Sequence, residues 1–149
     1  MKYKGIVHNI LNDAPFIGAV VIANRCSMPC EDCINESLKS DVYTMEDSAE
    51  EIVETIQANG LNQGVILSGL EWTEQPEDLT NLVTAALNQH LEVMVYTHHS
   101  EKRFFEIVPG LIGKKIYVKF GLYDSNLRSD NHFSYDVKLA TTNQYIKKF

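Results

Sequence analysis

Four apolar runs alternate with three segments of helical periodicity along this chain. Residues 16–23, Phe-Ile-Gly-Ala-Val-Val-Ile-Ala, are continuously apolar and rich in β-branched side chains. Such a run predicts a strand buried on both faces, as in parallel sheets. Thr44 to Asp47 has the form of a capping box, Thr-x-x-Asp, and predicts the opening of a helix. Ile52, Val53 and Ile56 then recur at helical spacing until Asn59-Gly60 stops them. Residues 64–68 predict a short buried strand. Pro76 suits the first turn of a second helix, with Leu79, Leu82, Val83, Ala86 and Leu87 on its apolar face. Residues 91–97 predict a third strand, Phe104, Phe105 and Val108 a short helix ending near Pro109-Gly110, and residues 115–120 a fourth strand.

Strands alternating with helices over short connections imply an α/β fold on a small parallel sheet with right-handed crossovers. In such sheets ligands gather beyond the carboxyl ends of the strands. A loop holding all the cysteines follows the first predicted strand. Ser68-Gly69 follows the second, Thr97-His98-His99 the third and Phe120-Gly121 the fourth. The pattern therefore predicts four loops converging on one rim.

Composition narrows the picture modestly. A chain of 149 residues, 44% hydrophobic and 22% charged, suits a single globular domain over residues 1–149. The net charge of −7 and the absence of any Lys/Arg run longer than two argue against a nucleic-acid partner. The acidic stretch from Glu46 to Glu51 fits the solvated face of a helix. No apolar run approaches the roughly 20 residues that span a bilayer, so no membrane partner is expected. Met1-Lys-Tyr-Lys is not followed by the apolar run of an export signal. Thiols kept available for metal fit a reducing compartment, and a cytoplasmic location is expected.

The chemistry concentrates in Cys26, Cys30 and Cys33, spaced Cys-x3-Cys-x2-Cys, and the chain has no other cysteine. A structural zinc site or a closed iron–sulfur cluster usually takes four protein ligands. A [4Fe–4S] cluster on three thiolates leaves one iron open to another ligand. Zinc with His8 or His132 as fourth ligand is an alternative, as are plain buried thiols. A disulfide framework is disfavoured by the odd count and by the confinement of all three to one loop.

The cysteine spacing, together with Ser68-Gly69-Leu70-Glu71-Trp72, resembles the radical S-adenosylmethionine (radical SAM) enzymes. The resemblance implies a partial (β/α) barrel with the cluster loop after the first strand. It also implies that the Gly-Gly-Glu/Asp segment after the second strand binds the amino group of S-adenosylmethionine through its backbone. Gly69 and Glu71 match that segment, and Leu70 replaces its second glycine. Asp32 stands where an aromatic residue often precedes the third cysteine. Asn35 matches the Cys-x-x-Cys-aromatic-Asn form of glycyl-radical activating enzymes, and Ile34 takes the aromatic place. Tyr117-Val-Lys119-Phe-Gly121-Leu-Tyr123, with Thr142-Asn143-Gln144 further on, is similar to the ending of anaerobic ribonucleotide reductase activating proteins. There a basic residue usually follows Asn-Gln, and here it is Tyr145.

What the resemblance implies is specific. A cluster on Cys26, Cys30 and Cys33 gives one electron to S-adenosylmethionine, which cleaves to methionine and a 5′-deoxyadenosyl radical. The radical takes a hydrogen from a glycine of the anaerobic ribonucleotide reductase catalytic subunit. Flavodoxin or ferredoxin would supply the electron. Asn35, Ser68, Gly69, Leu70, Glu71, Thr97 and Lys119 are the candidate S-adenosylmethionine contacts. Glu71 would order the loop around the ammonium, and Lys119 would pair with the methionyl carboxylate. His98 and His99 are expected to be polar rim residues, because hydrogen-atom abstraction needs no general base. Two other classes stand beside this one: a radical SAM enzyme acting on a small molecule, such as a deazapurine synthase, and a non-enzymatic metal- or cluster-binding module.

Overall fold

A computed structural model describes residues 1–40 and 43–149. Among the described residues there are nine strands: β1 Lys2–Ile10, β2 Gly18–Ala23, β3 Met45–Glu46, β4 Gly64–Ser68, β5 Glu92–Tyr96, β6 Tyr117–Phe120, β7 Phe133–Ser134, β8 Val137–Lys138 and β9 Tyr145–Lys148. Three α-helices, α1 Ala49–Gln57, α2 Pro76–Asn88 and α3 Glu101–Ile107, connect the central strands. Seven strands form one sheet in the order β3-β1-β2-β4-β5-β6-β9, and β7 and β8 form a separate hairpin. None of the helices is long and apolar enough to cross a membrane among the described residues.

The four predicted strands are the parallel centre, β2, β4, β5 and β6. The sheet as a whole is mixed, which corrects the expectation of a parallel sheet. β1 pairs antiparallel with β2, and β9 pairs antiparallel with β6. β1 escapes sequence reading because its register shifts twice, between Tyr3 and Gly5 and between Val7 and Ile10, so its alternation is broken. The fold is therefore α/β on an open mixed sheet, and strand order alone takes it no closer to a barrel.

Alternation along the central strands sorts their side chains between two layers. Ala19, Val21, Val65, Leu67, Val93, Val95, Val118 and Phe120 pack with Ile52, Val53 and Ile56 of α1, Leu79, Leu82, Val83 and Ala86 of α2, and Phe104 of α3. Val20, Ile66, Met94, Tyr117 and Ile146 face the other way, against Ala14, Val137 and Leu139. Both faces are covered, which is why these strands are continuously apolar.

Helix α1 opens four residues later than its predicted box. Ser48 is the N-cap, accepting from the Glu51 N–H at 3.2 Å, while the Ser48 N–H donates to Glu51 Oε2 at 2.7 Å. Thr44 instead donates to Asn24 Oδ1 at 3.1 Å, and Asp47 Oδ2 accepts from the Tyr3 hydroxyl at 2.6 Å. The acidic stretch is thus divided: Glu46 lies in β3, and Glu50 and Glu51 lie in the first turn of α1. There the carboxylates complement the helix dipole. Pro76 begins α2 as predicted, and Ser100 caps α3.

Candidate functional site

The loop after β2 carries the three cysteines, all half-buried and free of disulfides. It is held by the segment that follows β4. The buried Trp72 indole N–H donates to the Val21 carbonyl at 3.0 Å. The Glu71 N–H donates to the Arg25 carbonyl at 3.2 Å. Glu74 Oε1 accepts from the Ser27 N–H at 2.6 Å and from the Ser27 hydroxyl at 2.7 Å. Gln75 Oε1 accepts from the Asn24 N–H at 2.8 Å. Residues 71–75 therefore clasp residues 21–27, where the cysteine loop leaves the sheet. Beyond the third cysteine, Asn35 Nδ2 donates to the Gly69 carbonyl at 2.7 Å and closes the loop against the same segment.

Backbone conformation accounts for two features of these loops. Gly69 has φ of +85°, and a Cβ there would lie 2.8 Å from Ile22 Cγ2, so the matching glycine is sterically required. Leu70 is not in the positive-φ region, and its side chain joins the core at 7% exposure. It therefore replaces a glycine without backbone strain. Asp32 has φ of +54°, a conformation that short polar side chains tolerate better than aromatic ones.

Glu71 is buried and its carboxylate is fully engaged. Oε1 accepts from the Thr73 N–H at 3.1 Å, the Thr73 hydroxyl at 2.7 Å and the Thr97 hydroxyl at 3.1 Å. Oε2 accepts from the His98 N–H at 3.1 Å and from His98 Nδ1 at 2.6 Å. Burial pushes this carboxyl upward, but the hydrogen bonds from His98 and Thr73 outweigh it and hold it down at about 2. Glu71 thus staples the loop after β4 to the loop after β5. One carboxylate oxygen of Glu71 and one ring nitrogen each of His98 and His99 lie within 4.8 Å of one another. With five donors already on the carboxylate, this group acts as a polar staple. His98 and His99, expected as rim residues, stack with ring centroids 4.0 Å apart.

Register across the sheet sets a row on the face away from the helices. Ser68 is level with Ile22, Tyr96 with Lys119, and Lys119 with Ile146. Lys119 is 8% exposed, which excludes a plain surface lysine. Its ammonium donates to the Gly121 carbonyl at 2.8 Å and lies 5.9 Å from the Tyr96 ring centroid. Burial pulls it down to about 8, against the favourable fields of Glu71 and Cys30. Tyr96 donates its hydroxyl to the Asp13 carbonyl at 2.8 Å, which ties the loop before β2 under the row.

The C-terminal segment braces this corner. Asn143 Nδ2 donates to the Leu122 carbonyl at 2.8 Å, and Gln144 Nε2 donates to the Gly121 carbonyl at 3.3 Å. The Gly121 N–H donates to the His99 carbonyl at 3.2 Å. All four predicted rim loops are therefore linked. Sequence reasoning left Thr142-Asn143-Gln144 without a role of its own, and missed Lys39, Glu74 and Gln75. Their polar character was the only signal, and it names no partner.

The donor set fits a cluster with three protein ligands. The chain's only thiols are half-buried on one clasped loop, and they are soft donors suited to iron–sulfur chemistry. Burial pushes the Cys26 thiol upward and the Met28 N–H opposes that shift. The proposed zinc-ligand histidines are placed otherwise. His8 lies just beyond the Val7–Val20 pair, toward the start of β2, and Nδ1 is 2.8 Å from Asn62 Nδ2. His132 Nε2 donates to the Gln144 carbonyl at 2.6 Å. No curated protein matches the sequence. A family model described as a 4Fe-4S single cluster domain matches residues 17–115, well over half of the chain. That span takes in the cysteine loop and the segment that clasps it, and on this ground the chain belongs to the family of 4Fe-4S single cluster domains.

Proposed function

We propose that the chain is a radical SAM enzyme that activates a glycyl-radical protein, the anaerobic ribonucleotide reductase catalytic subunit. A partial (β/α) barrel is the matching fold. The observation that carries this reading is the clasp of residues 21–27 by residues 71–75, with Asn35 bound to the Gly69 carbonyl at 2.7 Å. It brings the cysteine loop against the segment that resembles the S-adenosylmethionine amino-group site.

Cys26, Cys30 and Cys33 would hold a [4Fe–4S] cluster. When bound and reduced, it supplies the electron that cleaves S-adenosylmethionine into the radical that takes a hydrogen from glycine. The protein's own part is position and exclusion of water. Gly69 would offer backbone to the ligand's ammonium. Glu71 fixes Thr97 and His98 on the neighbouring loop. Lys119, with its charge only partly matched by a carbonyl, is disposed to accept a carboxylate. Ser68 and Asn35 complete the polar lining. Ile34 is 93% exposed and Leu122 40% exposed in loops of this rim, and apolar groups there suit a protein partner. Flavodoxin or ferredoxin is the expected class of electron donor.

The test is anaerobic reconstitution, followed by mixing with the reductase from the same genome, S-adenosylmethionine and reductant. The expected results are about four irons per chain, 5′-deoxyadenosine, and a glycyl-radical doublet in the electron paramagnetic resonance spectrum. A cluster-replete sample that cleaves S-adenosylmethionine but never produces the doublet refutes the activase role. Turnover of a small molecule without a protein partner would establish the competing enzymatic class.

A further inference from the structure

Lys39 reaches back across the cysteine loop. Its ammonium donates to the Met28 carbonyl at 2.7 Å and pairs with Glu36 Oε2 at 2.7 Å. Met28 lies between Cys26 and Cys30 in the chain. The Lys39 side chain is 17% exposed, low for a residue that normally keeps its head in water. Glu36 chiefly holds it charged, and the Cys33 and Cys26 sulfurs add to that. Other charges surround the thiols. Glu74 and Glu71 act on Cys26 from the clasp, and Lys119 acts on Cys30 from β6. Arg25 adjoins Cys26 in sequence but is exposed. Lys39 is therefore a partly buried cation whose ammonium is bonded to the stretch of loop between Cys26 and Cys30.

Three thiolates outweigh the dipositive core of an oxidised [4Fe–4S] cluster. One electron from a low-potential donor adds a further negative charge to the site. Nearby positive charge and hydrogen bonding raise the potential at which that electron is accepted. We propose that Lys39 is a positioning residue for the cluster: it compensates the charge of the thiolates, raises the reduction potential and fixes the arc carrying Cys26 and Cys30. The inference rests on the cluster assignment and not on the identity of the substrate.

The experiment compares reconstituted parent protein with Lys39→Gln, Lys39→Arg and Lys102→Gln. Lys102 is 89% exposed on α3 and serves as the control. Iron content is measured first, then the midpoint potential by anaerobic titration with mediators and dithionite. Lys39→Gln should hold its iron and be harder to reduce. At a fixed potential its reduced-to-oxidised ratio should fall about tenfold, equivalent to about 59 mV for one electron. Lys39→Arg and Lys102→Gln should stay near the parent. Full iron at the parent potential in Lys39→Gln overturns the inference, as does an equal shift in Lys102→Gln. Should Lys39→Gln lose iron, retention by Lys39→Arg supports the inference and loss in both overturns it. A parent that takes up no iron refutes the cluster and this inference together. A parent that holds the cluster without cleaving S-adenosylmethionine refutes only the enzymatic proposal.

Discussion

The side-chain amide of Asn35 donates to the carbonyl of Gly69 at 2.7 Å, across 34 residues of sequence. It joins the end of the cysteine loop to the turn that follows β4. Asn35→Ala removes this bond while leaving the thiols and the glycine in place. A hydrogen bond of this kind contributes about 1 kcal/mol net. Urea unfolding should show a loss of that order, and amide hydrogen exchange should quicken in residues 26–36. Unchanged exchange there would show that the bond does not restrain the loop.

Glu71 carries a pH dependence whose sign follows from its lowered pKa. Its folded-state value is about 2 against an ordinary 4.5. Its contribution is complete above about pH 4.5 and is lost as pH falls through about 2. The difference corresponds to roughly 3 kcal/mol. Glu71→Gln leaves one oxygen for the five donors and turns an amide toward the others. The variant should lose on the order of 3 kcal/mol at neutral pH, and its acid-unfolding limb should flatten. Chemical unfolding across pH 2–7 checks both features.

Lys119 has the opposite sign. Burial depresses it from 10.5 to about 8, so folding disfavours its charged form. Its destabilising effect is full below about pH 8 and fades as pH rises toward 10.5. Lys119→Met should therefore raise the thermal midpoint at pH 7, by on the order of 1–2 kcal/mol of stability. The same change should weaken S-adenosylmethionine binding at least tenfold, about 1.4 kcal/mol, in a calorimetric titration of the reconstituted protein. A stabilised variant with parent affinity would separate Lys119 from the ligand.

The Gly69-Leu70 pair predicts two losses of different origin. Gly69→Ala places a Cβ 2.8 Å from Ile22 Cγ2 at φ of +85°. It should cost about 1–3 kcal/mol through strain and disturb the Asn35 bond. Leu70→Gly removes a core side chain and should cost about 2–5 kcal/mol without a comparable loss of S-adenosylmethionine affinity per folded molecule. Unfolding midpoints and binding titrations, measured on both variants, distinguish a backbone role from a packing role.

The sequence by itself determined the cysteine triplet, the four central strands and the apolar faces of α1, α2 and α3. Each rests on local periodicity or spacing, which neighbouring residues impose without help from distant chain. It also placed the four rim loops, because parallel strands must all end on the same side. Only the tertiary structure decided the rest. β1 and β9 pair antiparallel at the two flanks of the parallel centre, and bulges or shortness erase their patterns. Ser48 displaced Thr44 as the cap because Thr44 and Asp47 are drawn to Asn24 and Tyr3. The resemblance singled out Lys119, but its burial appears only when the sheet and the Gln144 segment close around it. Glu74, Gln75 and Lys39 grip the cysteine loop through long-range hydrogen bonds. A polar side chain's partner is set by where the chain returns in space, and no local pattern encodes that return.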